Sequence, residues 1–172
     1  MCSSDLFHQE AAVAHREVLA AVKAGIVVVG ASSMGALRAA ELHTLGMTGI
    51  GKIFGLYRDG KLVSDDEVAL VFDPVSGYAL SEPLINIRCT LKKAEAAGII
   101  TAADNAALLA AAQSVFYPQR TYKKIAAAAG DTVDAATRER FLAFAAANPA
   151  DQKKEDAIAA LEYVRDLAGK GA

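Results

Sequence analysis

At 172 residues, 53% of them hydrophobic, the chain has enough apolar material for one domain with a sizeable core. A formal net charge of −2 leaves no electrostatic footprint for nucleic acid, and there is neither a secretory signal nor an apolar run near the about 18 residues that cross a bilayer. The cysteines, Cys2 and Cys89, are too few and too unpatterned for a disulfide framework or a zinc site, so the chain is expected to be cytoplasmic, without metal or cofactor.

Residues 1–6 carry no periodicity. Residues 9–23 read as a first helix, with His15, Val18, Leu19 and Val22 spaced at i, i+3, i+4 and i+7, which puts His15 on the apolar stripe. Residues 26–29, Ile-Val-Val-Val between Gly25 and Gly30, read as a buried strand of a parallel sheet. Gly30-Ala-Ser-Ser-Met-Gly35 is a turn of small residues, and residues 36–45 continue as a helix of strong helix formers. A second strand is expected over residues 50–57, with Asp59-Gly60 as a hairpin turn. Residues 65–67 are an acidic loop that has the form of a capping box, yet Val68, Leu70 and Phe72 alternate like a strand. The alternation favours a strand to Asp73, a turn over 74–77 and a return strand near 78–80.

From residue 81 the pattern is helical. Ser81 is the expected cap of a helix with Pro83 in its first turn, an apolar stripe of Leu84, Ile87, Leu91 and Ala94, and Gly98 as its stop. Further helices are expected from Thr101 to Phe116, from the break at 117–120 to Gly130, over 134–147 and over 153–168. The fold class predicted is therefore α/β: a Rossmann-like parallel-sheet half (8–80) followed by an all-helical half (81–172), within one domain spanning 8–172.

The chemistry concentrates at the strand–turn–helix. Ligands of open α/β sheets bind at the carboxyl ends of strands, and the first free N–H groups of the following helix favour anions. Three readings of the turn stand side by side. It is a nucleophile elbow, with Ser32 or Ser33 activated by His15, although Gly30-x-Ser32-x-x-Gly35 is not the G-x-S-x-G form. It is an anion cradle lined by Gly30, Gly35, Ser32 and Ser33, without the lysine of a P-loop or the glycine fingerprint of a dinucleotide site. Or it is a serine N-cap. His15 is either directed at the serine turn or a core-edge histidine. Arg38 and Glu41 are charges in an otherwise small and apolar helix, where charges have assigned partners. The trio Asp65, Asp66 and Glu67 is a solvated loop, a metal site or the partner of Arg38 or Arg58. Glu82 and Asn86 are one turn apart on one face, and Glu82 also suits a first helical turn by the dipole. They are expected in the pocket of Ser32 and Ser33, with Arg88 outside it or at its rim.

The string Gly30-Ala-Ser-Ser-Met-Gly-Ala-Leu-Arg-Ala-Ala-Glu-Leu42 resembles the signature of the TfuA-like core domain. The likeness extends over His15-Arg-Glu-Val-Leu19, Tyr57-Arg-Asp-Gly60, Asp65-Asp-Glu-Val-Ala69, Ser81-Glu-Pro-Leu-Ile-Asn-Ile-Arg88 and Phe116-Tyr117 to Arg120. The resemblance implies partnership with a YcaO-type ATP-dependent enzyme that installs backbone thioamides in a precursor peptide or protein, as in ribosomal peptide natural product biosynthesis. It also implies help with the sulfur, either by release from a thiocarboxylated carrier protein or by recruitment and activation of the machinery. On the first alternative Ser32 or Ser33 is the nucleophile or oxyanion holder, His15 the base, and Arg38, oriented by Glu41, the anion binder. On the second the chain is a non-catalytic docking module, with Arg38, Glu41, Arg58 and Asp65–Glu67 as an ion network or docking face. Relative to that family the chain is expected to be truncated at its N-terminus, starting near the family's second strand.

Overall fold

The computed structural model describes residues 13–170, with the side chain of Lys170 left aside. The expected helix over 9–12, the expected irregular start and Cys2 lie outside those residues. The described chain forms two compact units, one of residues up to Val68 together with Gln152 onward, the other Ala69–Asp151.

In the first unit, α1 (His15–Lys23) is followed by β1 (Val29–Gly30), α2 (Met34–Leu42), a 3-10 turn, β2 (Thr48–Gly49) and α3 (Lys52–Arg58), and the last helix, α8 (Gln152–Lys170), returns to it. Strands β1 and β2 pair in parallel with Val29 opposite Thr48 and Gly30 opposite Gly49. The connection between them is α2, so β1–α2–β2 is one parallel crossover unit. Val18, Ala39, Leu42 and Met47 form its buried core, with Leu19, Val22, Val28 and Phe54 against it. The α/β class stands, in its coarse form. The described residues hold only this two-stranded sheet, not the broader sheet of a Rossmann-like half.

Four expectations are corrected here. The strand expected over 26–29 starts only at Val29, and Ile26 and Val27 are well exposed. The Ile26 amide is used elsewhere: it donates to Ala21 O while Gly25 N–H donates to Val22 O, a Schellman ending of α1. The strand expected over 50–57 is helix α3. Ile53 and Tyr57 are buried one turn apart, a helical spacing that the short apolar run hid. Asp59-Gly60 is then no hairpin but the C-terminal stop of α3, with Gly60 N–H on Tyr57 O and Lys61 N–H on Leu56 O. Residues 65–67 are a 3-10 turn in which Ser64 Oγ accepts from Asp66 N, so capping wins over strand alternation.

The second unit contains α4 (Leu84–Ala96), α5 (Ala102–Ser114), α6 (Tyr122–Ala129) and α7 (Ala135–Ala147). Leu84, Ile87, Leu91 and Ala94 are buried as their stripe predicts, in one core with Leu108, Ile125, Val133 and Phe141. Gly98 at φ +70 stops α4, Thr101 and Asp104 form a reciprocal capping box for α5, and Asp134 caps α7 through Thr137 N. Ser81 does not cap α4: the N-cap is Pro83, and Ser81 Oγ accepts from Val71 N instead. The hairpin expected over 68–80 is reduced to one antiparallel bridge, Phe72 with Ala79, around a turn whose Gly77 N–H donates to Asp73 O. Cys89, off the predicted stripe, is buried all the same. No described helix is long and apolar enough to cross a membrane.

Candidate functional site

The serine turn is a sharp device. Ser32 is the only described non-glycine residue with positive φ, at +69, and Ser33 N–H donates across it to Ala31 O at 2.8 Å. That is a γ-turn centred on Ser32, the rare strained kind, inserted directly between β1 and α2. Strained backbone of this kind is retained where the surroundings over-determine it, as at strand-to-helix elbows that display a nucleophile. Gly30 makes the bend possible: a Cβ there would run into the carbonyl of Gly35, with Met47 Cε 2.6 Å away. Gly35 is buried in the first turn of α2.

Neither serine caps α2. Ser33 occupies the N-cap position without a side-chain cap bond; it is fully buried and its Oγ donates to Val68 O at 3.5 Å. Ser32 is half-buried, with its Oγ donating to the main-chain carbonyl of Lys153 at 2.8 Å. Lys153, in the first turn of α8 and only 8% exposed, sends its Nζ to the same Val68 carbonyl at 3.0 Å. Sequence reasoning missed Lys153, although a signal existed: Lys153-Lys154 opens a helix where the dipole disfavours cations.

A second group forms one to two turns along α2. His15 Nε2 lies 2.7 Å from Glu41 Oε2, Arg38 Nη1 lies 2.6 Å from the His15 ring nitrogens, and Arg38 Nη1 is 3.4 Å from Glu41 Oε2. Arg38 is 16% exposed in its side chain, against 49% for His15 and 43% for Glu41. The helix thus supplies an Arg–Glu pair to which the start of α1 brings a histidine. By helical rise, Arg38 and Glu41 stand ~7.5 and ~12 Å beyond Ser33 along the axis. The hydrogen bonds of His15 go to Glu41 and Arg38, and those of Ser32 to Lys153. The structure therefore brings His15, Arg38 and Glu41 together, and Ser32 and Ser33 together with Lys153, as two groups not hydrogen-bonded to each other.

Arg58 belongs to neither group. It pairs with Asp59 at 2.9 Å and lies over the Phe54 ring. The acidic trio is accordingly not the partner of Arg38 or Arg58, and no described group of three or more His, Cys, Asp or Glu is arranged to hold a metal. Asp65, Asp66 and Glu67 surround Tyr57, whose OH donates to Ser64 O at 2.8 Å. Burial first, then the charges of Glu67, Asp65 and Asp66, push the Tyr57 phenol far above its ordinary value.

Glu82 and Asn86 lie in the second unit, beside Asp151. Asn86 Nδ2 donates to Asp151 Oδ1 at 3.3 Å, and burial together with the Asp151 charge raises the Glu82 carboxyl above its ordinary value. Close by, Thr90 Oγ1 accepts from Ala150 N at 3.0 Å and meets Tyr122 OH at 2.8 Å.

These features define an α/β crossover protein with a strained, serine-bearing turn at the carboxyl end of its strand and a His–Glu–Arg cluster further along the same helix. The chain belongs to the TfuA-like family: the family model described as TfuA-like protein matches residues 5–121. Among curated proteins no match is found.

Proposed function

We propose that the chain is an accessory protein of backbone thioamidation by a YcaO-type ATP-dependent enzyme acting on a precursor peptide or protein, and that it supplies sulfur by hydrolysing a thiocarboxylated carrier protein. Family membership supports the setting. The observation that carries the hydrolytic part is Ser32, half-buried on the γ-turn between β1 and α2 with its hydroxyl held at 2.8 Å by a main-chain carbonyl. In the reaction, Ser32 Oγ attacks the carbonyl carbon of the thiocarboxylate, and its proton, given up from the hydrogen bond to the Lys153 carbonyl, leaves to His15 once that ring has come within hydrogen-bond reach of the hydroxyl. The C–S bond breaks, sulfide departs with a proton, and water hydrolyses the resulting ester to restore Ser32 and release the carrier carboxylate. Glu41 holds His15 through Nε2, so the other ring nitrogen is the proton acceptor. Arg38 turns from the histidine to the anionic group of the substrate, which frees that nitrogen. N–H groups at the start of α2 stabilise the oxyanion.

A second reading has an observation of its own. His15 bonds to neither serine, and the His15–Glu41 pair is about half exposed, which suits a non-catalytic module docking on the YcaO-type enzyme. One experiment separates the two. The purified chain is incubated with thiocarboxylated carrier and sulfide is followed, alongside Ser32→Ala and His15→Ala. Loss of release in both variants supports hydrolysis. Absence of release by the parent, with retained binding and stimulation of the YcaO-type enzyme that Glu41→Lys abolishes, supports docking.

A further inference from the structure

Lys153 breaks two local preferences at once, and does so over a long sequence separation. It is a buried lysine, which desolvation disfavours, it sits where the α8 dipole disfavours a cation, and it comes to Ser32 from 121 residues away in sequence. Such conflicts between local preference and fold are retained chiefly at functional sites. What they achieve is visible in the bonds. The main-chain carbonyl of Lys153 accepts the Ser32 hydroxyl at 2.8 Å. Its Nζ donates at 3.0 Å to Val68 O, the carbonyl that also accepts Ser33 Oγ. One residue therefore takes hold of both serines of the strained turn, the first directly and the second through a shared acceptor.

We infer that Lys153 is the positioning residue of the serine turn, the group that fixes the Ser32 hydroxyl for attack. The inference rests on the hydrolytic reading above and adds a residue to it. With the ammonium removed, Val68 and the first turn of α8 lose their tie, and the Lys153 carbonyl no longer holds Ser32 Oγ in place. A misplacement of roughly 1 Å in such a group lowers a rate by about 100-fold.

The test uses the full chain and two readouts. One is sulfide release from thiocarboxylated carrier; the other is covalent labelling of Ser32 by a fluorophosphonate probe, located by mass spectrometry. Lys153→Met is expected to lower kcat and the labelling rate together by about 100-fold, with KM little changed. Lys153→Gln keeps a donor for Val68 O and is expected to recover a large part of both. If either variant labels Ser32 as fast as the parent, the inference is overturned. If both lose labelling together with their circular dichroism, Lys153 is structural only and the inference is likewise overturned. A parent that labels at Ser32 but releases no sulfide refutes the hydrolytic reading alone, and the variants' labelling rates then decide the role of Lys153. A parent that does not label at Ser32 refutes both.

Discussion

Asp156 is expected to be the most stabilising single carboxylate of the first unit. It lies in the second turn of α8, 3% exposed, and accepts from Lys52 N at 3.0 Å and from Ile53 N at 2.7 Å. Gln152 Nε2 adds a third donor at 2.9 Å. The first two are orphan donors at the start of α3, so a carboxylate from a distant helix does the work of a missing N-cap. Gly51, at φ +95, leaves the room: a Cβ there would collide with the Asp156 carboxylate. Removing the carboxylate strands two N–H groups at about 1–3 kcal/mol each, part of which water recovers by entering the space, so Asp156→Ala is expected to destabilise by about 3–4 kcal/mol. Asp156→Asn keeps one oxygen acceptor and is expected to cost about 1–2 kcal/mol, the loss of charge assistance in the bonds. Urea unfolding of the full chain gives the free energies, and hydrogen exchange at the Ile53 amide tells whether the loss is at α3. An Asp156→Ala variant within 1 kcal/mol of the parent, or with the Ile53 amide as protected as before, would refute the reasoning.

Gly30→Ala forces a methyl group against the Gly35 carbonyl and Met47. The backbone of the serine turn must shift, and a cost of about 2–3 kcal/mol is expected, together with loss of Ser32 labelling; unchanged labelling would show that the approach of Gly30 to Gly35 does not shape the turn. Glu82 carries a raised carboxyl, from burial and the Asp151 charge, so the folded state disfavours its ionised form. The stability that protonation supports is complete below the ordinary carboxyl value and is lost as pH rises through the raised one. Glu82→Gln is therefore expected to be more stable than the parent at pH 7, with the advantage vanishing as pH falls below about 4; a thermal-unfolding series from pH 4 to 8 in which the difference stays constant would contradict this. Ser32→Gly removes the positive-φ strain at residue 32, about 1 kcal/mol, so it should lose labelling while its melting temperature holds or rises.

Periodicity was enough for the helices of the second unit. Leu84, Ile87, Leu91 and Ala94 point inward as their 3.6-residue repeat requires, although Ile85 and Cys89, off that stripe, are buried as well, and Gly98 and Thr101 mark ends that any helix would need. The turn and helix that follow Val29 were legible for the same local reason: a glycine, small residues and a run of helix formers each prefer one conformation, whereas the β-branched run before them gave only Val29–Gly30 as strand. The string around Ser32 and Ser33 also carried the family. Tertiary structure alone decided the rest. Residues 52–58 became α3 rather than a strand because a carboxylate about a hundred positions away caps them, a partner that no window of the sequence contains. Ser81 was drawn from its cap by the Val71 amide. His15 met Glu41 and Arg38 instead of a serine because those three side chains share one end of two packed helices. Lys153 reached the turn only through the return of α8, whose place in the first unit depends on long-range packing and not on spacing along the chain.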